Sequence, residues 1–178
     1  MVLHAVPLVE RERELGVLQR LLDRARDGAG TAVVVEGAPG IGKSSLLATV
    51  RAVADGFRVV SARGGELERE LPFGIVRQLL EPVLARADAT ERETLLGGAA
   101  ALAEPVLSGP GAEGDSEPAF SALHGLYWLT ANLAAAQPLL VLVDDVHWAD
   151  LASLRWLSYV GRRLDGIAVA LILAGRPT

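Results

Sequence analysis

Apolar and polar residues follow two different spacings along this chain. Runs with helical spacing cover residues 10–25, 44–54, 73–86, 90–103, 119–136 and 151–164. Short continuous apolar runs, which are typical of buried strands, cover residues 32–35, 139–143 and 167–174. Residues 57–62, which also contain Arg58 and Ser61, are predicted to form a further strand. The two kinds of run alternate, and this order predicts an α/β fold in which helices cover both faces of a mostly parallel sheet.

Residues 104–118 fit neither spacing. They contain three prolines and three glycines, which favour turns and irregular backbone. We expect a mobile surface loop here, within a single domain that spans residues 1–178. Further along the chain, Asp150 directly precedes the helical run 151–164, and its side chain is placed to cap that helix.

A glycine-rich segment lies between the first predicted strand and the next helix. Residues 37–44 read GAPGIGKS and match the motif G-x-x-x-x-G-K-[ST] in full. Glycines allow positive φ angles and leave no Cβ in the way, so consecutive backbone N–H groups can point at a phosphate, and the following helix adds its N-terminal amides. Lys43, the only lysine among 17 basic residues, is expected to contact the β- and γ-phosphates, and the Ser44 hydroxyl to bind Mg²⁺. The predicted nucleotide-binding residues are Gly37, Ala38, Pro39, Gly40, Ile41, Gly42, Lys43, Ser44 and Ser45.

Two adjacent acids follow the third predicted strand. The run LLVLV at 139–143 ends in Asp144 and Asp145, and buried strands deliver polar residues at their carboxyl ends, where ligands of open α/β sheets bind. Asp144 is expected in the Mg²⁺ shell and Asp145 beside an attacking water. Taken alone, two such acids could also simply begin a turn.

Three further residues lie near the strand ends, and two of them allow two interpretations. Arg176 follows the last strand and could contact the γ-phosphate beside Asp144, or be a solvated arginine. His147 could orient a water or bond Asp145, or be a polar residue that caps the strand end. Trp148 is expected to be a packing residue. His4 and His124 have no partner at metal-ligand spacing, and we interpret both as structural or exposed.

Composition and charge narrow the function classes. The formal net charge is −5, and the sequence shows no stripe of basic residues. Both observations argue against DNA binding by this segment and against a motor protein that moves along nucleic acid. The chain has no cysteine, so disulfides and thiolate metal sites are excluded. No apolar run approaches the roughly 20 residues that span a bilayer. We expect a cytoplasmic protein without a membrane partner. A small-molecule kinase is disfavoured because no second substrate site is evident.

Several segments together resemble a known family. The glycine-rich motif at 37–44, known as a P-loop, lies in the first of these segments, VVVEGAPGIGKSSLL (33–47). The others are residues 8–15, LPFGIVRQLLEP (71–82), LHGLYWLTANLA (123–134), LLVLVDDVHWADLASLRWL (139–157) and LILAGRP (171–177). They resemble the N-terminal ATPase core of the large ATP-binding regulators of the LuxR type, which belong to the STAND branch of AAA-like P-loop NTPases. The segments 71–82 and 144–150 are more specific for this family than the P-loop is.

The resemblance implies a P-loop NTPase three-layer αβα sandwich and a set of site residues. Residues 8–15 would lie against the adenine, Ser44 and Asp144 would hold Mg²⁺, and Lys43, Asp145 and Arg176 would form the catalytic set, with Arg176 at the sensor position. The implied function is an ATP-binding, slowly hydrolysing switch domain of a signal-responsive transcriptional regulator. The alternative is an ATP-binding scaffold for regulator assembly that does not hydrolyse ATP.

In that family the core continues with another strand, a helical lid, a repeat region and a DNA-binding helix-turn-helix. We therefore expect an N-terminal fragment, truncated before the last core strand and lid, whose natural partners include the remaining domains of the regulator. The P-loop strand would lie beside the strand 167–174 and leave residues 33–35 on an open sheet edge. Self-association and weak or absent ATP turnover of this segment follow as expectations.

Overall fold

The computed structural model describes residues 12–108 and 120–177. Its α-helices are α1 (Glu12–Arg26), α2 (Lys43–Val53), α3 (Gly74–Arg86), α4 (Ala89–Leu95), α5 (Glu104–Ser108), α6 (Phe120–Ala136) and α7 (Leu151–Gly161). Its strands are β1 (Thr31–Glu36), β2 (Arg58–Arg63), β3 (Leu139–Asp144) and β4 (Val169–Gly175). Short 3-10 turns cover Glu66–Glu68, Gly98–Ala103 and Val146–Trp148.

The four strands form one parallel sheet in the order β1-β4-β3-β2. The α/β fold and its parallel sheet are thereby confirmed. Since the strands are parallel, their carboxyl ends lie at the same edge of the sheet. The P-loop, the acid pair and residue 176, each of which follows a strand, are therefore brought to that edge.

Helices cover both faces of this sheet. On one face, α1 and α2 pack their leucines against Leu140, Leu142 and Ile172. On the other face, α3, α6 and α7 pack against Leu139, Val141 and Leu171, with Trp156 of α7 fully buried. The central strands β3 and β4 are buried along nearly their whole length, which explains why their sequences are continuously apolar.

Strand β1 is not buried as its apolar run suggested. Its side chains alternate between half-buried and exposed positions, and Val34 is 55% exposed. The reason is its place at the edge of the sheet: Val33 and Val35 pack towards α1 and α2, whereas the described residues leave the side chains on the other face of the strand exposed. Its position beside β4 agrees with the strand order expected from the resemblance.

Two helical boundaries differ from the prediction. The run 90–103 is not one helix, because Gly97 and Gly98 interrupt it and Gly98 has a φ of 61°. The loop expected from residue 104 begins later, since Glu104–Ser108 form helix α5. Pro105 is compatible with a helical first turn because the missing N–H has no acceptor there. Residues 109–118 of that predicted loop lie outside the described residues. Among the described helices, none is long and apolar enough to span a membrane.

The buried carboxylate of Asp150 joins two helices. It accepts the N–H of Ser153 at 2.8 Å, which caps α7 as predicted, and also the N–H of Phe73 at 2.8 Å and that of Ile75 at 3.5 Å at the start of α3. Phe73 has a φ of 61°, a left-handed conformation that costs a non-glycine residue about 1 kcal/mol. Asp150 therefore holds a strained helix start in place.

Replacing this carboxylate should destabilise the fold. Asp150→Ala leaves three buried N–H groups without an acceptor, and we expect a loss of about 2–4 kcal/mol in the free energy of unfolding. Asp88→Ala is the matched control, because Asp88 caps α4 through the N–H of Glu91 but is exposed; it should cost about 1 kcal/mol. Denaturant unfolding measures both. Equal losses would contradict the double role of Asp150.

Candidate functional site

The loop between β1 and α2 has the backbone that its glycines predicted. Gly40 and Gly42 have φ angles of 77° and 90°, which side-chain-bearing residues rarely adopt. Gly37 is bonded to the end of β4 through its N–H and the carbonyl of Gly175, at 3.3 Å. Residues 38–41 are exposed. The loop therefore presents its backbone to solvent at the carboxyl edge of the sheet, directly before the N-terminus of α2.

Lys43 begins α2 and is buried despite its charge, with 7% of its surface exposed. Its ammonium donates to the carbonyls of Gly37 at 2.8 Å and Ala38 at 3.0 Å. A buried ammonium needs such acceptors, because an unpaired charge away from water is costly. Lys43 thus crosses under the loop and ties its first residues to the first turn of the helix.

Ser44 and Asp144 meet although 100 residues separate them. The hydroxyl of Ser44 donates to Oδ2 of Asp144 at 2.6 Å, a short distance typical of a hydrogen bond to a charged acceptor. The other oxygen, Oδ1, accepts the N–H of Asp145 at 3.0 Å. Both oxygens of Asp144 are therefore oriented, and one of them lies at the first turn of α2.

Asp145 is held by a residue that the sequence did not single out. Arg63, the last residue of β2, donates from Nε at 3.0 Å and from Nη2 at 2.8 Å to Oδ2 of Asp145. These hydrogen bonds, together with the charges of Asp145 and Asp144, raise the pKa of Arg63 above its ordinary range. The guanidinium accordingly stays charged at physiological pH. Asp145 itself has a left-handed backbone, with a φ of 50°, and its carboxylate faces β2.

Gly64 lets β2 approach the acid pair. Its N–H donates to the carbonyl of Asp144 at 2.9 Å, and a Cβ at this position would collide with the carbonyl oxygen of Asp145. The signal in the sequence was the pair Gly64-Gly65 directly after an apolar strand, which indicates close backbone contact as readily as a turn. The sequence did not show that Asp145 is the partner in this contact, because that depends on the pairing of β2 with β3.

Helix α3 also reaches this end of β2. The side-chain amide of Gln78 accepts the N–H of Arg63 at 3.0 Å and donates to its carbonyl at 3.2 Å. A continuous set of contacts therefore leads from Asp150, which holds the start of α3, through Gln78 and Arg63 to the carboxylate of Asp145.

The remaining predicted residues are placed as follows. Arg176 is exposed just after β4 and makes no hydrogen bond or ion pair within the described residues. His147 does not bond Asp145; both its ring nitrogens are buried without a partner in the described part of the chain, and its ring lies 5.2 Å from that of Trp148. His124 is structural, bonded to Tyr159 and Trp128. Residues 8–11 of the segment predicted to contact adenine, and His4, lie outside the described residues.

The fold and the site define a P-loop nucleotide-binding domain. Residues 7–172 match the family described as AAA ATPase domain. The match covers nearly the whole chain, and the protein belongs to this family. No curated protein matches the chain.

The close contact at Gly64 gives a direct test of the site's geometry. Gly64→Ala should shift the acid pair, lower the free energy of unfolding by about 1–3 kcal/mol and weaken the binding of Mg-nucleotide. Gly161→Ala is the control, because a Cβ there would meet only that of Ala32 at 4.0 Å. Denaturant unfolding and nucleotide titration of both variants check this. Wild-type behaviour of the Gly64 variant would show that the packing tolerates a methyl group.

Proposed function

We propose that this chain binds Mg-ATP and that Ser44 and Asp144 together hold the metal. The observation that carries the proposal is the 2.6 Å contact between the Ser44 hydroxyl and the Asp144 carboxylate. A hydroxyl on the P-loop helix and an acid at a neighbouring strand end are hard oxygen ligands, and Mg²⁺ is commonly bound by one or two such groups with phosphates and waters. The membership in the AAA ATPase domain family supports the same ligand.

The residues of the loop fit a polyphosphate. Within the loop, Gly40 and Gly42 have positive φ angles. In our proposal Ala38, Gly40 and the residues from Gly42 to Ser45 donate N–H groups to the phosphates, Pro39 lacks one, and Gly37 and Ile41, whose N–H groups are bonded to Gly175 and Ala38, shape the loop around them. The dipole of α2 begins at the same place and favours an anion. Lys43 adds a positive charge held rigidly under the loop. The bound metal would neutralise charge on the phosphates, and the chain's own part is to hold and orient them.

Hydrolysis depends on Asp145 in this proposal. As a base or water-orienting group it must turn towards the phosphates, whereas here its carboxylate is bonded to Arg63. Because release from Arg63 would have to precede turnover, slow hydrolysis is the expected behaviour. The same contact favours the second candidate, an ATP-binding scaffold without hydrolysis, in which Arg63 and Asp145 remain paired throughout. Arg176 is proposed as the third member of the catalytic set, at the sensor position.

The wider role rests on the resemblance of the segments 71–82 and 144–150 to the LuxR-type regulators. In that role the domain is a cytoplasmic switch, in which ATP favours one arrangement of the regulator and ADP or an inducer another. Its partners would be the remaining domains of the regulator and further copies of the chain. With a net charge of −5, this segment would not itself bind DNA.

Removing the lysine tests nucleotide binding. Lys43→Ala should weaken ATP binding by roughly 10- to 100-fold, since a hydrogen bond to a charged group is worth about 1.5–3 kcal/mol. Calorimetric titration with Mg-ATP measures the affinity. Arg24→Ala, which removes an exposed positive charge from α1, should bind as the wild type does. Unchanged affinity in a folded Lys43 variant would refute the proposed site.

Substitutions at the two acids and at Arg63 distinguish nucleotide binding from turnover. Asp144→Asn should weaken Mg²⁺-dependent binding, because a metal ligand acts already in the ground state. Asp145→Asn should spare binding and remove turnover, because a water-orienting group acts mainly in the transition state. Arg63→Ala should raise turnover by freeing Asp145. Exposed Asp27→Asn is the matched control.

Single-turnover hydrolysis, followed over hours, decides between the two candidates. A wild type and an Arg63 variant that both bind ATP without hydrolysing it would support the scaffold. An Asp145→Asn variant that hydrolyses at the wild-type rate would remove Asp145 from the mechanism.

A further inference from the structure

A groove lies at the far edge of the sheet from β1. It has a volume of about 430 Å³ and runs between the outer side of β2 and helix α3. Within the described residues, β2 pairs only with β3, so its second side has no neighbouring strand. We call this feature the β2 groove; its polar lining is Arg51, Arg58, Ser61, Gln78, Arg86 and Glu91.

Within the part of the chain that the structure describes, the backbone along this groove has donors and acceptors without a partner. The N–H groups of Arg58 and Gly64 point towards β3, since they donate to Pro138 and Asp144. In a strand, the backbone N–H and C=O groups of successive residues point to opposite sides of the strand. The N–H and C=O groups of Val59, Ser61 and Arg63 therefore point outward, and those of Val59 and Ser61 lie along the groove.

One side chain already occupies the end of this edge in the way that a strand would. The amide of Gln78 accepts from the N–H and donates to the C=O of Arg63. In an antiparallel pair, the N–H and C=O of one residue of an added strand form the same two hydrogen bonds with an edge residue. The edge of β2 is thus geometrically able to bind amide groups from the side of α3, and Gln78 marks where an added strand would stop.

The charges of the β2 groove are mostly positive, although the whole chain carries −5. Arg58 is paired with Glu91 at 3.1 Å. Arg51 has a neutral partner, the hydroxyl of Ser61 at 3.3 Å. Arg86 is exposed and makes no bond within the described residues. Two guanidinium groups therefore remain without an acidic partner beside the open backbone.

We propose that the β2 groove binds an extended acidic segment of a partner protein, which adds a strand to β2 beside Val59 and Ser61. Alternating donors and acceptors suit a peptide backbone, whereas an inorganic anion would meet repulsive carbonyl oxygens as well as N–H groups. Arg51 and Arg86 select acidic side chains. Because side chains alternate along a strand, the segment would carry Asp or Glu at every second position.

The affinity for a defined peptide tests this directly. The probe is a fluorescein-labelled heptapeptide of alternating Glu and Val, titrated with the 178-residue protein and followed by anisotropy. Two control peptides separate the contributions: Lys in place of Glu reverses the charge, and N-methylation of alternate amides keeps the charge but prevents strand pairing. Only the unmodified acidic peptide should bind well.

Variants and amide exchange locate the binding. The double variant Arg51→Gln/Arg86→Gln should bind the peptide about tenfold more weakly, since each exposed ion pair contributes a factor of roughly two to five. Arg24→Gln on α1 should not change it. The peptide should slow hydrogen exchange at the amides of Val59 and Ser61, while the outward amide of Val34 on the opposite edge stays unaffected.

Four results would overturn the proposal. One is no binding of the acidic peptide at millimolar concentration, and another is equal binding of its N-methylated form. Displacement by millimolar inorganic phosphate without protection of Val59 and Ser61 would indicate a simple anion site. Protection of Val34 instead would place the peptide on β1.

Discussion

The carboxylate of Asp144 connects the parts of the site that come from distant stretches of sequence. One oxygen accepts from Ser44 at the start of α2, and the other accepts from the backbone of Asp145. The backbone carbonyl of Asp144 accepts the N–H of Gly64, just after the end of β2. The contacts with Ser44 and Gly64 need β3 to lie in the middle of the sheet, with β2 on one side and, across β4, the P-loop on the other. The parallel strand order is the constraint from which the site follows.

The second acid depends on elements further away. Its partner Arg63 is fixed by Gln78 of α3, and the start of α3 is fixed by Asp150, which also caps α7. Asp145 and Asp150 flank the short turn after β3. The orientation of one acid is therefore tied to the helix that the other acid anchors. If α3 moved, Gln78 and Arg63 would move with it and change the position of the Asp145 carboxylate through direct contacts.

The two edges of the sheet differ in chemistry. Strand β1 exposes a valine and carries no arginine, whereas β2 begins and ends with arginine and lies beside two others. Arg63 faces the acid pair, and Arg51 and Arg86 face the β2 groove. In a chain of net charge −5, this distribution gives β2 an electrostatic character that the composition as a whole conceals.

Local chemistry explains what the sequence by itself determined. The P-loop conformation follows from glycines at fixed positions before a helix, and the alternation of apolar runs with amphipathic ones requires a covered parallel sheet. The helix cap at Asp150 is equally local. The sequence also placed Ser44 at the start of the helix after the P-loop and Asp144 at the end of a strand, so that their approach could be anticipated.

The apolar pattern alone did not decide which strands are neighbours and which lie at an edge; only the resemblance placed the P-loop strand beside β4 at an open edge, and the tertiary structure decided the rest. Residues 32–35 and 139–143 are both short apolar runs, yet β1 is half-exposed and β3 is buried, because burial depends on what packs beside a strand. The partner of Asp145 could not be found either. Arg63 is one of many arginines, and nothing in its local sequence distinguishes it; β2 and β3 must pair before its side chain can reach the acid.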